Sequence, residues 1–159
     1  MTGKLSHVAP DGTARMVDVS AKADTARMAR ATGHITMSRT TLDAIIGNTI
    51  AKGDVLGVAR LAGIMAAKRT SELIPLCHPL PLTDVGVSVV TDPSLPGVRV
   101  EAIAKTVGKT GVEMEALSAV TVALLTVYDM AKAMDRGMII SDISLAEKTG
   151  GVSGTYARA

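Results

Sequence analysis

The chain has no phenylalanine, no tryptophan, two tyrosines and one cysteine. A single cysteine excludes an internal disulfide and fits the cytosol. The shortage of aromatics removes the usual stacking platform for single-stranded nucleic acid, and it argues against an RNA-binding module, which would carry aromatics on its sheet. Charge of one sign is also scarce: 17 Lys and Arg against 15 Asp and Glu leave a net +2, too mild for a dedicated nucleic-acid binder. An anionic ligand is therefore expected to be small. The apolar stretches Val55–Ala67 and Ala116–Tyr128 are each shorter than the ~20 residues of a membrane span, and the first contains Arg60. No membrane helix is expected. The amino terminus, MTGKLSHVAP, lacks an apolar signal core.

What is present suits a folded protein. Apolar residues make up 47% of the chain and the mean hydropathy is +0.32, which excludes a disordered polymer. At 159 residues the chain has room for one domain burying about 70% of its unfolded surface. A single domain over residues 1–159 is expected, with a flexible segment over 1–10 and a Gly-rich tail over 149–159. Val, Ile, Leu, Ala and nine Met must fill the core. Small side chains make thin cores, so subunit association would add apolar burial.

Pattern and punctuation suggest the elements. DGTARMVDVS reads as a turn and a short extended piece. Loose alternation of small and polar residues from Thr25 to Met37 fits an edge strand. Ser38 can cap a short helix, TTLDAII, that Gly47 ends. A longer helix follows over about Asp54 to Glu72, with Val55, Val58, Ala59, Ala62, Met65 and Ala66 at helical spacing as its apolar face. Two strands, Thr83–Thr91 and Val98–Thr106, are joined by the turn DPSLPG. GKTG leads into a third helix over about Val112 to Asp135, and MIISDISL reads as a last strand. Strand, two helices, hairpin, helix and strand suggest an α+β fold, ferredoxin-like, with an antiparallel sheet.

Several residues could carry chemistry. GKTG is not a phosphate loop, because GxxxxGK[ST] would need glycine where Ile103 stands. A Gly-rich turn with Lys109 at a helix start still favours an anion, as likely here as a plain turn and cap. In the third helix, acids at Glu113 and Glu115 complement the dipole, whereas Asp129 near the carboxyl end opposes it unless Lys132 at i+3 pairs with it. At 1.5 Å per residue Glu115 and Asp129 lie about 21 Å apart along the axis. If both serve one reaction, a second chain must supply one of them. In SELIPLCHPLPL, Cys77 and His78 lack zinc spacing, and neighbours in extended chain point to opposite sides, which disfavours a Cys–His dyad. Two readings stay open there: a ligand wall stiffened by Pro75 and Pro79, or a buried corner.

Taken together, KGDVLGVARLAGIMAAKRTSELIPLCHPLPLT, GKTGVEMEAL, TVYDMAKA, EKTGG and MVDVS closely resemble the molybdenum cofactor biosynthesis protein C family, the cyclic pyranopterin monophosphate synthases. The resemblance runs from about Leu5 to Gly154. It implies a ferredoxin-like subunit in a homohexamer, a trimer of dimers, with active sites at dimer interfaces. The implied substrate is a cyclised dihydro-GTP supplied by a radical S-adenosylmethionine partner enzyme. By motif, Asp129, Lys132 and Lys52 match catalytic positions. Leu76, Cys77, His78, Met114 and Glu115 match substrate-binding positions, and Glu113 lines the same site. Arg27, Lys68 and Lys148 match basic positions that would neutralise the triphosphate. No protein-held metal or tightly bound cofactor is implied, although Mg2+ can accompany the triphosphate. Two departures stand out. Ala131 replaces a frequent cysteine, and Val152 replaces the lysine of the usual GGKSG. Retention of the Lys52, His78, Glu113, Glu115, Asp129 and Lys132 set argues against a non-catalytic nucleotide-binding relative.

Overall fold

Alternation along the first strand positions everything else. In the computed structural model, which describes residues 11–152 and 154–158, β1 (Thr25–Thr36) buries Ala29, Ala31, Gly33 and Ile35 on one face. Expected at an edge, β1 instead lies inside the sheet, between β3 (Gly97–Gly108) and β4 (Ile139–Thr149). Its low hydrophobicity has a steric cause: a Cβ added at Gly33 would sit 3.0 Å from Ile143, Leu124 and Val120. Small residues mark close packing there rather than an exposed edge. The order is β2-β3-β1-β4-β5, with β2 at Leu82–Asp92 and β5 at Tyr156–Ala157, and every pairing is antiparallel.

The helices begin and end where local chemistry dictates. Ser38 caps α1 (Arg39–Ile46) by accepting from the Thr41 N–H, and Gly47 closes it. Asp54 caps α2 (Val55–Lys68) through the Gly57 N–H. The expected single helix to Glu72 breaks at Arg69, and a short α3 (Thr70–Leu73) follows. α4 (Glu113–Ala131) ends a few residues before the expected stop.

The buried face of α2 also differs from expectation. Val55, Ala59, Gly63, Ala66 and Ala67 are buried, whereas Val58 and Met65 are exposed. Again the smallest residues face inward: a Cβ on Gly63 would meet the Ala119 carbonyl oxygen of α4 at 2.9 Å. Two helices that close exchange side-chain bulk for backbone proximity. α4 has the length and composition of a membrane span, longer than the sequence stretch suggested. It is nevertheless the central core helix, burying Ala116, Ala119, Val120, Ala123, Leu124 and Val127 against the sheet and α2. The helices cover the sheet face that carries Ala29, Ala31 and Ile35.

At the hairpin between β2 and β3, Asp92 accepts from the Ser94 N–H and hydroxyl, so the DPSLPG turn stops itself. The tail, expected to be loose, returns to the sheet: Lys148 pairs with Tyr156 and Glu147 with Ala157. The expectation for residues 1–10 lies outside the described residues.

Candidate active site

Around the amino end of α4, three separate segments meet. The turn after α3, in which the Cys77 N–H bonds to the Ile74 carbonyl, carries Leu76, Cys77 and His78. The first turn of α4 brings Glu113, Met114 and Glu115, and the stretch from Val17 to Lys22 closes one side. Together they line a cavity of about 380 Å³. Cys77 and His78 directly follow the turn at Pro75 and Leu76, and both residues line this cavity. Both residues are half-buried at the cavity, so this corner is not closed off from solvent.

His78 is anchored by its Nε2, which donates to the Val17 carbonyl at 2.8 Å. That bond makes Nε2 the protonated nitrogen and leaves Nδ1 for a ligand. Burial raises the Cys77 thiol pKa, and the nearby Glu115 carboxylate raises it further. A thiolate nucleophile is disfavoured on both counts. Glu115 is only 4% exposed. Burial pushes its carboxyl up to about 7, and Glu113 adds to the rise against a backbone hydrogen bond that opposes it. It is therefore a cavity-wall acid that changes charge near neutral pH.

Glu113 is tied down differently, accepting from Lys148 Nζ at 2.9 Å. Lys148 thus reaches the cavity rim from β4. The glycine before this helix serves that arrangement, since a Cβ on Gly111 would occupy the space of the Glu113 carboxylate. At GKTG, Lys109 Nζ donates to the Ser20 carbonyl, and the first turn of the helix carries Glu113 and Glu115. Arg27 donates to the carbonyls of Gly108 and Lys109, 2.8 and 3.2 Å away.

At the other end of α4 a second cluster forms. Asp129 Oδ2 accepts from Lys52 at 2.7 Å, and its Oδ1 pairs with Lys132 at 2.7 Å. Lys52 also donates to the Asp129 carbonyl at 2.9 Å, which helps fix the loop before α2 on the end of α4. Lys132 first and Lys52 second hold the Asp129 carboxyl down at about 2. The acid that opposed the helix dipole is thereby compensated by two ammonium groups.

Within one chain, then, the predicted residues divide. Leu76, Cys77, His78, Glu113, Met114 and Glu115 converge, with Lys148 joined through Glu113 and Arg27 nearby on the Gly108–Lys109 turn. Lys52, Asp129 and Lys132 stand about 21 Å away along the helix. Lys68 lines a separate hollow with Asp84 and Val85, which shares Leu80 with the first cavity. Val17, Val19 and Lys22 were missed as cavity residues. Val17 and Val19 had only the MVDVS segment as a signal, which has no periodicity to place it over the cavity, and Lys22 lies two residues beyond it.

A helix-backed antiparallel sheet with a buried acid, a histidine and flanking cations defines an α+β small-molecule-binding protein of enzyme type. Residues 16–151 match the model of the MoaC family, and the chain belongs to that family. It is 58% identical over 157 residues to the cyclic pyranopterin monophosphate synthase of Brucella ovis, covering 99% of this chain and 95% of that protein. It is 61% identical over 154 residues to the synthase of the same name from Heliobacterium modesticaldum, covering 97% of each.

Proposed function

We propose that the chain is a cyclic pyranopterin monophosphate synthase of molybdenum cofactor biosynthesis, a lyase. It converts a cyclised dihydro-GTP to the cyclic pyranopterin monophosphate and releases pyrophosphate. The observation that carries this reading is the cavity where His78, Cys77, Met114 and the buried Glu115 converge. A purine-derived ring offers N–H donors and ring nitrogens, and a carboxyl that titrates near 7 beside a histidine suits the proton transfers of ring opening and reclosure. Asp129 is too firmly ionised to act as a base matched to neutral pH. Its role is to hold Lys52 and Lys132 as fixed cations where negative charge develops. Magnesium, where it participates, accompanies the triphosphate.

The reaction then needs both ends of α4, and a second copy supplies the missing end. The surface supports this. Met114, Thr121 and Leu125 of α4 and Val58, Leu61 and Met65 of α2 are exposed, with Leu61 at 59% and Leu125 at 55%. Two α4 helices packed antiparallel along this stripe, with a twofold axis near Val122, would set Asp129 of one copy opposite Glu115 of the other. A homohexamer built as a trimer of such dimers is the assembly we favour. The connectivity β-α-β-β-α-β with inner order β2-β3-β1-β4 supports a ferredoxin-like subunit. A soluble cytoplasmic enzyme, fed by a radical S-adenosylmethionine enzyme, completes the reading. Incubation with the cyclised dihydro-GTP, followed by mass spectrometry for pyrophosphate and the pyranopterin, tests it. No product from the correctly assembled protein would refute it.

A further inference from the structure

β4 changes face partway along its length. Leu145 stands opposite Ala31 of β1 and packs against the core, on the side of the helices. Glu147 stands opposite Arg30 and pairs with its guanidinium on the other side. In a regular strand two such residues would share one side. Ala146 breaks the alternation: it has no partner in β1 and forms a bulge, where the register shifts between Arg30 and Ala31. Beyond the bulge, Lys148 falls opposite the buried Ala29 and reaches Glu113 at the start of α4. Without the bulge, Lys148 would point to the face that carries Arg30, away from the cavity.

On the outer edge of β4 the bulge is held by the end of the chain. The Arg158 N–H donates to the Ala146 carbonyl at 2.9 Å, while Ala157 and Tyr156 pair with Glu147 and Lys148. Tyr156, Ala157 and Arg158 are all exposed, so β5 adds little apolar burial to the fold. The turn that returns it is nevertheless specific. Gly150 has φ +93°, a Cβ there would collide with the Ala26 carbonyl, and the Gly154 N–H donates to the Gly151 carbonyl at 3.2 Å. A strand brought back through so constrained a turn, with no buried side chain, acts chiefly on the β4 edge and its bulge.

We propose that Arg158 is a positioning residue: through its backbone N–H, β5 locks the Ala146 bulge and so aims Lys148 at the cavity rim, where its ammonium meets the substrate's phosphates. The inference rests on the triphosphate substrate proposed above. The Arg158 side chain takes no part. Chain ends fray unless they are tied down, so loss of this one bond frees β5, relaxes the bulge and costs Lys148 its direction. Substrate binding then weakens, while Glu115 and His78 stay in place.

The acting group is an N–H, and substitutions can remove it selectively. Arg158→Pro deletes it, Arg158→Ala keeps it, and a chain ending at Ala157 deletes it without proline. In the assembled protein, a carbodiimide joins a lysine to a carboxylate in direct contact, so peptide mapping by mass spectrometry reads the Lys148–Glu113 pair without substrate. The cross-link yield should fall about fivefold in Arg158→Pro and in the shortened chain, and stay within about twofold of the wild type in Arg158→Ala. With the cyclised dihydro-GTP, Arg158→Pro should raise KM about tenfold and leave kcat little changed, the pattern of a lost binding contact. Lys148→Ala should raise KM as much, and adding Arg158→Pro to it should change little more, because both act through one ammonium. Midpoints of urea unfolding should agree among the variants. An equal cross-link yield in the wild type and Arg158→Pro, an equal loss in Arg158→Ala, additive effects of Arg158→Pro and Lys148→Ala, or a lowered unfolding midpoint in Arg158→Pro would overturn the proposal. A wild type that shows the expected cross-link pattern without turning over sinks the activity and leaves the link from β5 to Lys148 standing.

Discussion

An assembly containing Asp129→Asn and Glu115→Gln subunits should be active although neither variant alone is. The two residues are about 21 Å apart along one rigid helix, so no motion short of unfolding α4 brings them together within a chain. In a twofold dimer with shared sites, each site takes Glu115 from one copy and Asp129 from the other. Every site of a pure variant lacks one residue, and removal of a proton-transfer group or of the anchor for two lysines should cost about 10²–10⁴ in rate. A mixed dimer differs. One of its sites receives both substituted residues and the other receives neither. Random pairing from equal co-expression makes half the dimers mixed, so about a quarter of all sites are native. The mixture should therefore turn over at about a quarter of the wild-type rate, at least tenfold above either parent. Pyrophosphate release by a coupled assay, on protein carrying two affinity tags to prove co-assembly, gives the number. A co-assembled mixture no faster than its parents would refute the shared site, and with it the arrangement drawn from the exposed stripe.

Other outcomes follow from the same geometry. Leu125→Asp, or Leu61→Asp, puts a charge in the middle of the apolar stripe; sedimentation should show smaller species and the activity should fall with the assembly, whereas an intact active oligomer would move the interface elsewhere. Glu115 bears on stability through its titration. Its folded pKa of about 7 lies above the ordinary 4.5, so the neutral acid is favoured in the fold. That contribution is full below pH 4.5 and is lost as pH rises through 7, so Glu115→Gln should gain roughly 3 kcal/mol over the wild type between those limits. A stability difference between the two proteins that does not vary with pH, measured by urea unfolding, would refute the raised pKa. Lys132→Met should bring the Asp129 carboxyl up from about 2 towards its ordinary 3.8, because Lys132 is the larger cause of the depression; carboxyl-carbon NMR titration reads this directly, and an unmoved value would assign the effect to Lys52. Gly33→Val should cost about 1–3 kcal/mol in denaturant unfolding, since three side chains already stand 3.0 Å from where its Cβ would go.

The elements were legible where side-chain chemistry marks them locally. Ser38, Gly47 and the DPSLPG turn announce their boundaries because capping and turn formation are decided within a few residues. Position in the sheet was not legible, because it depends on partners far along the chain. β1 looked like an edge strand by composition and is interior because Gly33 and its alanines lie beneath α4. The apolar face of α2 misled for the same reason: hydrophobic periodicity favours Val58 and Met65, while close packing on α4 selects Gly63 and the alanines. The site shows the same divide. Motifs identified Leu76, Cys77, His78, Glu113, Met114 and Glu115, and these residues do meet. Val17, Val19 and Lys22 went unnoticed because an irregular segment carries no period from which its direction can be read. The dipole argument anticipated the Asp129–Lys132 pair correctly, since i and i+3 neighbours on one helix need no tertiary information. Lys52 joins them only through the tertiary fold, which local sequence does not reveal.

The missing aromatics and the divided site have a common physical origin. A core without Phe or Trp is filled by drawing backbones together, and this demands glycine and alanine at Gly33, Gly63, Ala59 and Ala119, the contact surfaces of α2, α4 and β1. Leucine and methionine are too large for those surfaces. Some of those on the helices are left on the outer side, as at Leu61, Met65 and Leu125, and in one chain they remain in water. In the proposed dimer a second copy would relieve that exposure along a stripe on α4, from Met114 to Leu125 and on towards Asp129. The stripe joins the two ends of the helix, so any antiparallel pairing along it brings unlike ends together. Separation of Glu115 from Asp129 is thus no defect in the subunit. In the proposed dimer it would follow from placing the reactive groups at the helix ends, where the dipole and element-terminal lysines tune them, and the apolar bulk between those ends, where another subunit would cover it.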